Sequence, residues 1–244
     1  MAQSLKKDTL FQTKKTTDSF KFNEEVTEVF DDMIDRSTPF YHPLQDTLVQ
    51  LATYMAQPNT AIIDLGCSTG TTLEKLIPIA KSKNCSLIGV DYSESMLTAA
   101  QSKLNNDTVQ LINHDLNTPI KLPKSSLVIL NLTLQFVLPK HRDTLIQSVY
   151  SALAPEGCLA VIEKTKSANP VFNQHFINIH HDTKRSNGYS DLEIAQKRDA
   201  IEDVLIPYQA AETINMLTLN GFQDVTSFFQ WFNFSGFLAI KGNS

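Results

Sequence analysis

Short apolar segments alternate with segments of helical periodicity along most of the chain from Ala61 onward. Continuous apolar runs of about four to eight residues are typical of strands buried on both faces of a parallel sheet. These runs predict strands over 61–65, 86–91, 108–114, 126–132 and 158–163. Apolar positions spaced for helices predict helices over 70–82, 93–104 and 140–153. Because the two kinds of segment alternate, the pattern predicts an α/β fold with right-handed crossovers and a mostly parallel sheet.

The alternation ends after residue 164. A long polar segment over 170–204 predicts a helical insertion, and a helix over 208–219 follows it. Two last strands are predicted near 225–232 and 236–241. Their short connection predicts an antiparallel hairpin, which would complete a seven-stranded sheet.

The chain before the first strand has two different compositions. Residues 1–22 are polar and rich in lysine and threonine, which predicts a loosely held arm. Residues 23–57 have helical apolar spacing interrupted at Pro39 and Pro43, and we expect them to cap a ligand site. We expect one domain over 1–244. Its predicted parts are the arm 1–22, the helical cap 23–57, the core 58–164, the insertion 165–205, and the last helix with the hairpin, 206–244.

The run Ile62–Gly70 passes from an apolar strand into a loop of small residues, and a second strand ends about twenty residues later at Asp91. This order is how an open α/β sheet builds a nucleoside pocket. Gly66 and Gly70 follow the spacing D-x-G-x-x-x-G, not the G-x-G-x-x-G of dinucleotide sites. The spacing resembles the S-adenosylmethionine-binding fold of class I methyltransferases, with an ordinary turn in another doubly wound enzyme as the alternative.

Three polar residues end predicted strands where such sheets bind ligands. Asp91 is predicted to accept hydrogen bonds from ribose hydroxyls, or alternatively to cap the following helix. Asp115 ends the third strand, where a carboxylate can accept from the exocyclic amine of adenine. Asn131 ends the fourth strand and could contact the amino-acid part of a ligand, or alternatively form a turn.

Composition narrows the class of partner. The chain has 244 residues, of which 42% are hydrophobic, and a net charge of −5. It has no basic cluster larger than a lysine pair, so the sequence does not support direct nucleic-acid binding. Its three cysteines have no C-x-x-C spacing, which predicts free thiols in a reducing compartment. Without a membrane-spanning run or a signal peptide, we expect a soluble, cytoplasmic protein.

Two polar clusters have competing interpretations. His180-His181-Asp182 could suggest a metal site or a base, but adjacent helical side chains point about 100° apart, so packing of one histidine is favoured and no metal is predicted. Arg198 follows Gln196-Lys197 on a predicted helix, where a solvated, ion-paired face is the simpler interpretation. The alternative is that Arg198 binds an anionic ligand.

Segments spread over nearly the whole chain resemble carboxy-S-adenosyl-L-methionine synthases. The most specific is residues 178–198, because generic methyltransferases lack it. The other matching segments are 8–11, 29–41, 131–136 and 231–234. The resemblance implies that S-adenosylmethionine and prephenate are converted to carboxy-S-adenosylmethionine and phenylpyruvate. It also implies a homodimer, and a separate tRNA carboxymethyltransferase that uses the product at a wobble uridine.

The resemblance also implies site residues by matching position. The implied ligand contacts are Tyr41, Gly66, Cys67, Ser68, Asp91, Tyr92, Asp115, Leu116, Asn131 and Arg198. Arg198 would pair with the added carboxylate of the product, reversing the simpler interpretation above, and Tyr41 could supply a hydroxyl to it. The implied chemistry is decarboxylation of prephenate, proton removal from the sulfonium methyl by the departing hydroxide or an equivalent base, and capture of carbon dioxide by the ylide. That chemistry requires a closed, dry pocket, which the cap and insertion could provide.

The chain departs from the family pattern at several positions. Tyr92 replaces a common asparagine, and Phe40 replaces a common glycine, which raises the question of the shape of the second-substrate pocket. The arm at 14–18 and the threonines at 69 and 71–72 also differ. Alternatives are therefore a divergent member with another carboxyl donor, a conventional small-molecule methyltransferase, and a non-catalytic cofactor-binding protein.

Overall fold

The central sheet has the predicted topology. The computed structural model describes residues 6–13, 19–104 and 109–243. The strands are β1 (Ala61–Leu65), β2 (Ser86–Asp91), β3 (Val109–Asn113), β4 (Ser125–Asn131), β5 (Leu153–Lys166), β6 (Tyr208–Gln209), β7 (Asp224–Trp231) and β8 (Phe234–Ile240). Seven of them follow the order β3-β2-β1-β4-β5-β8-β7, and the short β6 pairs with the end of β5. Strands β1 to β5 run parallel, whereas β8 is antiparallel to both neighbours.

Helices cover both faces of the sheet. They are α1 (Glu24–Ser37), α2 (Tyr41–Met55), α3 (Thr71–Lys83), α4 (Glu94–Leu104), α5 (Pro139–Ala152), α6 (Pro170–Ser186), α7 (Asp191–Ile201) and α8 (Ala210–Leu219), with a short 3₁₀ turn at Leu134–Phe136. Successive strand residues point to opposite faces. Ile63 accordingly packs in the layer with α5 and α8, while its neighbour Ile62 packs in the layer with α2, α3 and α4. Complete burial of β1 on both faces accounts for its mostly apolar sequence.

The predicted insertion is a pair of helices. Asn169 caps α6 by accepting from the backbone N–H groups of Val171 and Phe172. Ser190 and Glu193 form a capping box that starts α7. Gly188 lies between the helices at φ +87°, a conformation that favours glycine. The two caps therefore explain why the polar segment folds as two helices.

Some predicted boundaries were wrong. Pro43 does not interrupt a helix but lies in the first turn of α2, where a backbone N–H has no helical partner to lose. Strand β5 begins at Leu153, not at residue 158, because Leu153 already pairs with Ser125 of β4. The last helix begins at Ala210, since Tyr208 and Gln209 form β6.

The prediction of a loose arm over 1–22 was wrong for the part that the structure describes, since residues 1–5 and 14–18 lie outside it. The Asp8 side chain is buried, where it accepts from the Tyr189 hydroxyl at 2.7 Å. Arg36 donates to the Asp8 carbonyl at 2.9 Å and stacks on the Tyr189 ring. Phe20 is also buried. Contacts distant in sequence therefore hold these residues against α1 and α7.

Among the described residues, none of the helices combines the length and the apolar character needed to cross a bilayer.

Candidate functional site

A deep cavity opens at the carboxyl ends of β1, β2, β3 and β4, and every site residue expected from the sequence lines it. These residues are Tyr41, Gly66, Cys67, Ser68, Asp91, Tyr92, Asp115, Leu116, Asn131 and Arg198. Side chains of α1, α6 and α7 cover the opposite side. The structure thus brings the predicted residues together around a single volume enclosed between the sheet and the helices.

The loop after β1 is fastened to the end of β2. The backbone N–H groups of Gly66 and Cys67 both donate to the Val90 carbonyl, at 2.7 and 3.0 Å. Gly66 adopts φ +79°, and a Cβ there would collide with the Thr133 side chain. Burial raises the pKa of the Cys67 thiol, so this side chain is a neutral wall of the cavity and not a nucleophile.

Asp91 joins the loop after β1 to the residue that caps α4. One carboxylate oxygen accepts from the Ser68 N–H at 2.9 Å and the other from the Ser93 N–H at 3.0 Å. Ser93 in turn caps α4 by accepting from the Met96 N–H. Each carboxylate oxygen can accept further hydrogen bonds, and Asp91 lines the cavity. The geometry suits a ligand that donates two neighbouring hydroxyls.

Two polar oxygens at the strand ends are buried and unpaired within the described part of the chain. They are Oδ1 of Asp64, near the end of β1, and Oδ1 of Asn131, at the end of β4. Both residues line the cavity. Buried polar atoms are normally hydrogen-bonded. The pair therefore fits a ligand with donor groups, such as an amino-acid ammonium.

Asp64 gives the free protein an unusual pH dependence. Burial, with a smaller contribution from the Asp91 carboxylate, raises the pKa of Asp64 to about 7. An unfolded aspartate ionises near pH 4, so between about pH 4 and 7 the folded state holds a proton that the unfolded state releases. This group therefore lowers stability by about 1.4 kcal/mol per pH unit over that range.

We expect the substitution Asp64→Asn to remove this pH-dependent loss of stability. The free energy of unfolding of the variant, relative to the wild type, should increase by about 1.4 kcal/mol per unit from about pH 5 to 7 and then level off. Urea unfolding of the ligand-free proteins at several pH values measures the difference. A difference independent of pH would contradict the raised pKa.

One end of the cavity is aromatic. The Phe22 ring makes edge contacts with Tyr92 and Phe136, at centroid distances of 6.1 and 5.2 Å. Asp115 and Leu116 follow β3 beside them. Flat apolar walls with a carboxylate at the rim suit a purine base with an exocyclic amine. Phe22 and Phe136 were not among the predicted site residues.

The other end of the cavity is basic. Arg198 lies there on α7, together with Lys197, with Lys184 of α6 and with Lys164 of β5. In this structure the Arg198 guanidinium donates to Asp199 at 2.6 and 2.9 Å. The simpler interpretation, an ion pair on a helix face, is thus present, but the same side chain also lines the cavity. Sequence reasoning missed the three lysines.

Tyr41 begins α2 and also lines the cavity. Burial, with the nearby Asp31 and Asp64 carboxylates, raises the pKa of its phenol, which therefore remains a hydrogen-bond donor. Phe40, in contrast, does not line the cavity, and its ring contacts Phe229 and Trp231 of the hairpin. The concern that Phe40 reshapes the second-substrate pocket is not supported. Its φ of 57° lies in the left-handed region that favours glycine.

Of the histidine pair, one packs as expected, whereas the other is not the fully exposed residue that the sequence predicted. His180 is buried, bonds the Ser37 carbonyl through Nε2 at 2.8 Å, and has its pKa lowered to about 2 by burial and nearby lysines. His181 is half-buried and lines the cavity. Within the described residues, no three His, Cys, Asp or Glu side chains are arranged to hold a metal ion.

Relatives with known names cover nearly the whole chain. The family model described as "Methyltransferase domain" matches residues 62–157. The carboxy-S-adenosyl-L-methionine synthase of Methylococcus capsulatus is 43% identical over 234 residues, which cover 94% of this chain and 97% of that protein. The protein of the same name from Desulfotalea psychrophila is 44% identical over 240 residues, which cover 97% of this chain and 98% of that protein. The chain belongs to the carboxy-S-adenosyl-L-methionine synthase family. The family predicted from the sequence is therefore confirmed.

Solved structures show the family's fold in more distant proteins. An O-methyltransferase family protein from Burkholderia thailandensis has a TM-score of 0.61 at 16% identity, covering 93% of this chain and 65% of its own. Human N-acetylserotonin methyltransferase, in complex with SAM, has a TM-score of 0.59 at 15% identity. The match covers 90% of this chain and 56% of the human protein. The chain thus spans less than two thirds of each. These likenesses confirm the predicted class I methyltransferase fold for this family member.

Proposed function

We propose that this protein converts S-adenosylmethionine and prephenate to carboxy-S-adenosylmethionine and phenylpyruvate. Family membership supports the reaction, since the relatives carry that product in their name. The observation that supports this reaction for this chain is the separation of acidic and basic side chains in the cavity. Asp64, Asp91 and Asp115 line it from the ends of the strands, which we call the acidic end, and Arg198 with three neighbouring lysines lines it from β5, α6 and α7, which we call the basic end. A cationic sulfonium substrate and an anionic carboxyl donor fit these two ends.

The acidic end would hold S-adenosylmethionine. In this proposal Asp91 accepts from the ribose hydroxyls, and Asp115 accepts from the adenine amine beside the Phe22 and Tyr92 rings. Gly66, Cys67 and Ser68 provide the loop that approaches the ligand. Asp64 and Asn131 supply the unpaired oxygens for its ammonium group. Leu116 completes the adenine wall.

The proposed reaction balances without an added oxidant or a metal. Prephenate loses carbon dioxide and its ring hydroxide and becomes phenylpyruvate. The hydroxide, or an equivalent base, removes a proton from the sulfonium methyl, giving water and an ylide. The ylide carbon then bonds to carbon dioxide and becomes a carboxymethyl group. Arg198 would bind the new carboxylate through its planar fork, and the protonated Tyr41 hydroxyl would donate to it.

Escape of carbon dioxide and entry of water are the main side reactions, and the cover of the cavity opposes both. In α1 the side chains of Phe30 and Met33 are buried, and they pack against apolar residues that precede this helix. Ile201 lines the cavity from α7. Asp31 joins this cover to the ligand loop, since it accepts from Thr69 Oγ1 at 2.5 Å and from Lys103 Nζ at 2.7 Å.

We further propose that the chain acts as one domain, with α1–α2 as the cap and α6–α7 as the insertion over the core. A cytoplasmic homodimer is proposed, in which the free thiols Cys67, Cys85 and Cys158 suit a reducing compartment. A separate tRNA carboxymethyltransferase would use the product. The enzyme itself would not contact RNA, in keeping with its net charge of −5.

Mass spectrometry of the ligand that co-purifies with the protein tests the proposal. We expect carboxy-S-adenosylmethionine, heavier than S-adenosylmethionine by one carbon dioxide, because the cavity offers Arg198 to the added carboxylate. S-adenosylmethionine or S-adenosylhomocysteine as the only ligand, together with methyl loss on turnover, would favour a conventional methyltransferase instead.

A further inference from the structure

The basic end of the cavity contains more positive charge than one transferred carboxylate requires. Arg198 accounts for the new carboxylate in the proposed function. Lys164, Lys184 and Lys197 line the same end from three different elements, β5, α6 and α7. The cavity-lining acids, in contrast, stand at the ends of β1, β2 and β3. The carboxyl transfer alone therefore does not account for the three lysines.

Lys184 has no acidic partner in the described part of the chain. It lies in the last turn of α6, and no hydrogen bond or salt bridge to its amine is found there, whereas its neighbour Arg185 pairs with Asp182 and Asp191. The side chain is only half-buried because it faces the cavity. Desolvation and the charges of Lys197 and Lys164 lower its pKa well below the usual value. A bound anion would favour the charged amine and so offset these effects.

Lys164 is similar. Its backbone N–H donates to Gln135 Oε1 at 2.6 Å, which fixes the residue at the cavity wall, while its amine has no hydrogen bond or ion pair with any described residue. The adjacent Glu163 is no counter-ion, since its side chain lies on the opposite face of β5 and accepts from Thr213. Desolvation lowers the pKa of Lys164.

Lys197 is held more firmly. Its amine donates to the Ser37 hydroxyl at 2.9 Å, at the C-terminus of α1. Asp8 lies near enough to raise its pKa, but desolvation is larger and lowers the pKa to about 8. The amine therefore completes the positive wall and also joins α7 to the cap.

From these placements we propose that Lys164 and Lys184, supported by Lys197, bind the carboxylate of the donor that is not transferred, so that the enzyme selects a dicarboxylate donor. The inference rests on the proposed function, in which the donor gives up one carboxyl group. A donor with a second carboxylate would be anchored by the lysines while its labile carboxyl group faces the sulfonium methyl. With prephenate, the anchored group is the carboxylate of the pyruvyl chain, which phenylpyruvate retains.

Steady-state kinetics of Lys164→Gln and Lys184→Gln test the subsite, with prephenate varied at saturating S-adenosylmethionine and the product measured by mass spectrometry. We expect KM for prephenate to rise about tenfold in each variant, the effect of one lost charge-assisted hydrogen bond. The inhibition constant of phenylpyruvate against prephenate should rise by a similar factor, since product and donor share the anchored carboxylate. Dissociation constants for S-adenosylmethionine should stay within about twofold of the wild type.

Two further variants serve as controls. Lys166→Gln removes an exposed lysine from the same strand, outside the cavity, and should leave both constants unchanged. Lys184→Arg keeps the charge and should stay within about threefold of the wild-type KM, which separates loss of charge from disturbed packing.

Unchanged KM and inhibition constants in both glutamine variants would overturn the proposal. So would a raised KM with unchanged phenylpyruvate inhibition, because the lysines would then bind only the transferred carboxylate. If the wild type makes no carboxy-S-adenosylmethionine from prephenate, the proposed function fails instead. Titration calorimetry with phenylpyruvate then tests the lysine subsite by itself. If the subsite exists, the glutamine variants bind phenylpyruvate about tenfold more weakly than the wild type does.

Discussion

Arg198→Ala is expected to lower the rate of carboxyl transfer by about 1000-fold, because the variant lacks the planar fork proposed to bind the developing carboxylate. In the free protein the Arg198 side chain is 59% exposed where it lines the cavity. Binding of S-adenosylmethionine should change by less than about threefold, since the acidic end of the cavity is intact. Single-turnover assays with both substrates, read by mass spectrometry, measure the rate. Arg198→Lys should recover only part of the activity, since an ammonium cannot bind a carboxylate bidentately.

Arg185→Ala is the matched control for this prediction. Arg185 lies on α6, is exposed, and pairs with Asp182 and Asp191 outside the cavity. Surface ion pairs of this kind contribute little, so transfer should remain within about twofold of the wild type. A transfer rate in Arg198→Ala equal to that of the control would show that Arg198 is only part of an ion-paired helix face with Asp199.

Asp91→Ala is expected to weaken binding of S-adenosylmethionine by about 100-fold. Two effects combine, since the variant loses the proposed acceptor for the ribose hydroxyls and also the contacts of the carboxylate with the Ser68 and Ser93 N–H groups. Titration calorimetry measures the dissociation constant.

Glu94→Ala removes an exposed acid three residues away and should leave the affinity within about twofold. Thermal unfolding of the free proteins provides a second comparison, which shows whether Asp91→Ala still folds. If a folded Asp91→Ala variant bound S-adenosylmethionine as tightly as the wild type, the role of Asp91 would be limited to holding Ser68 and Ser93 in place.

The sheet was predictable because its strands are buried on both faces. Continuous apolar runs such as Leu127–Leu130 of β4 are typical of strands in this environment, and their alternation with helices determines the topology. Boundaries were less predictable where tertiary pairing decides them. The start of β5 at Leu153 depends on its partner Ser125, and the position of Pro43 inside α2 depends on which residue begins the helix.

The acidic end of the cavity was also predictable, since Asp91 and Asp115 stand where two strands end at one edge of the sheet. The basic end was not. Lys164, Lys184 and Lys197 are separated along the chain and meet only because α6 and α7 fold back over the sheet. Arg198 was assigned from the family resemblance, because its own neighbourhood in the sequence favours a surface ion pair.

The structure of the N-terminal residues also depends on contacts that the local sequence does not predict. A polar segment with many lysines and threonines predicts an exposed arm, yet Asp8 is buried. Its burial depends on Tyr189, which is 181 residues away and donates to the carboxylate, and on Arg36. One carboxylate oxygen has a local donor, the Leu10 N–H, but the other is satisfied by Tyr189, a partner that only the folded chain supplies, so no local pattern predicts the burial.

Transfer of isotopically labelled carbon tests the central claim most directly. The purified protein is incubated with S-adenosylmethionine and with prephenate labelled in its ring carboxyl group, and the nucleoside products are analysed by mass spectrometry. We expect carboxy-S-adenosylmethionine that carries the label, formed together with unlabelled phenylpyruvate. Carboxy-S-adenosylmethionine without the label would show another carboxyl donor, and S-adenosylhomocysteine as the only product would contradict carboxyl transfer altogether.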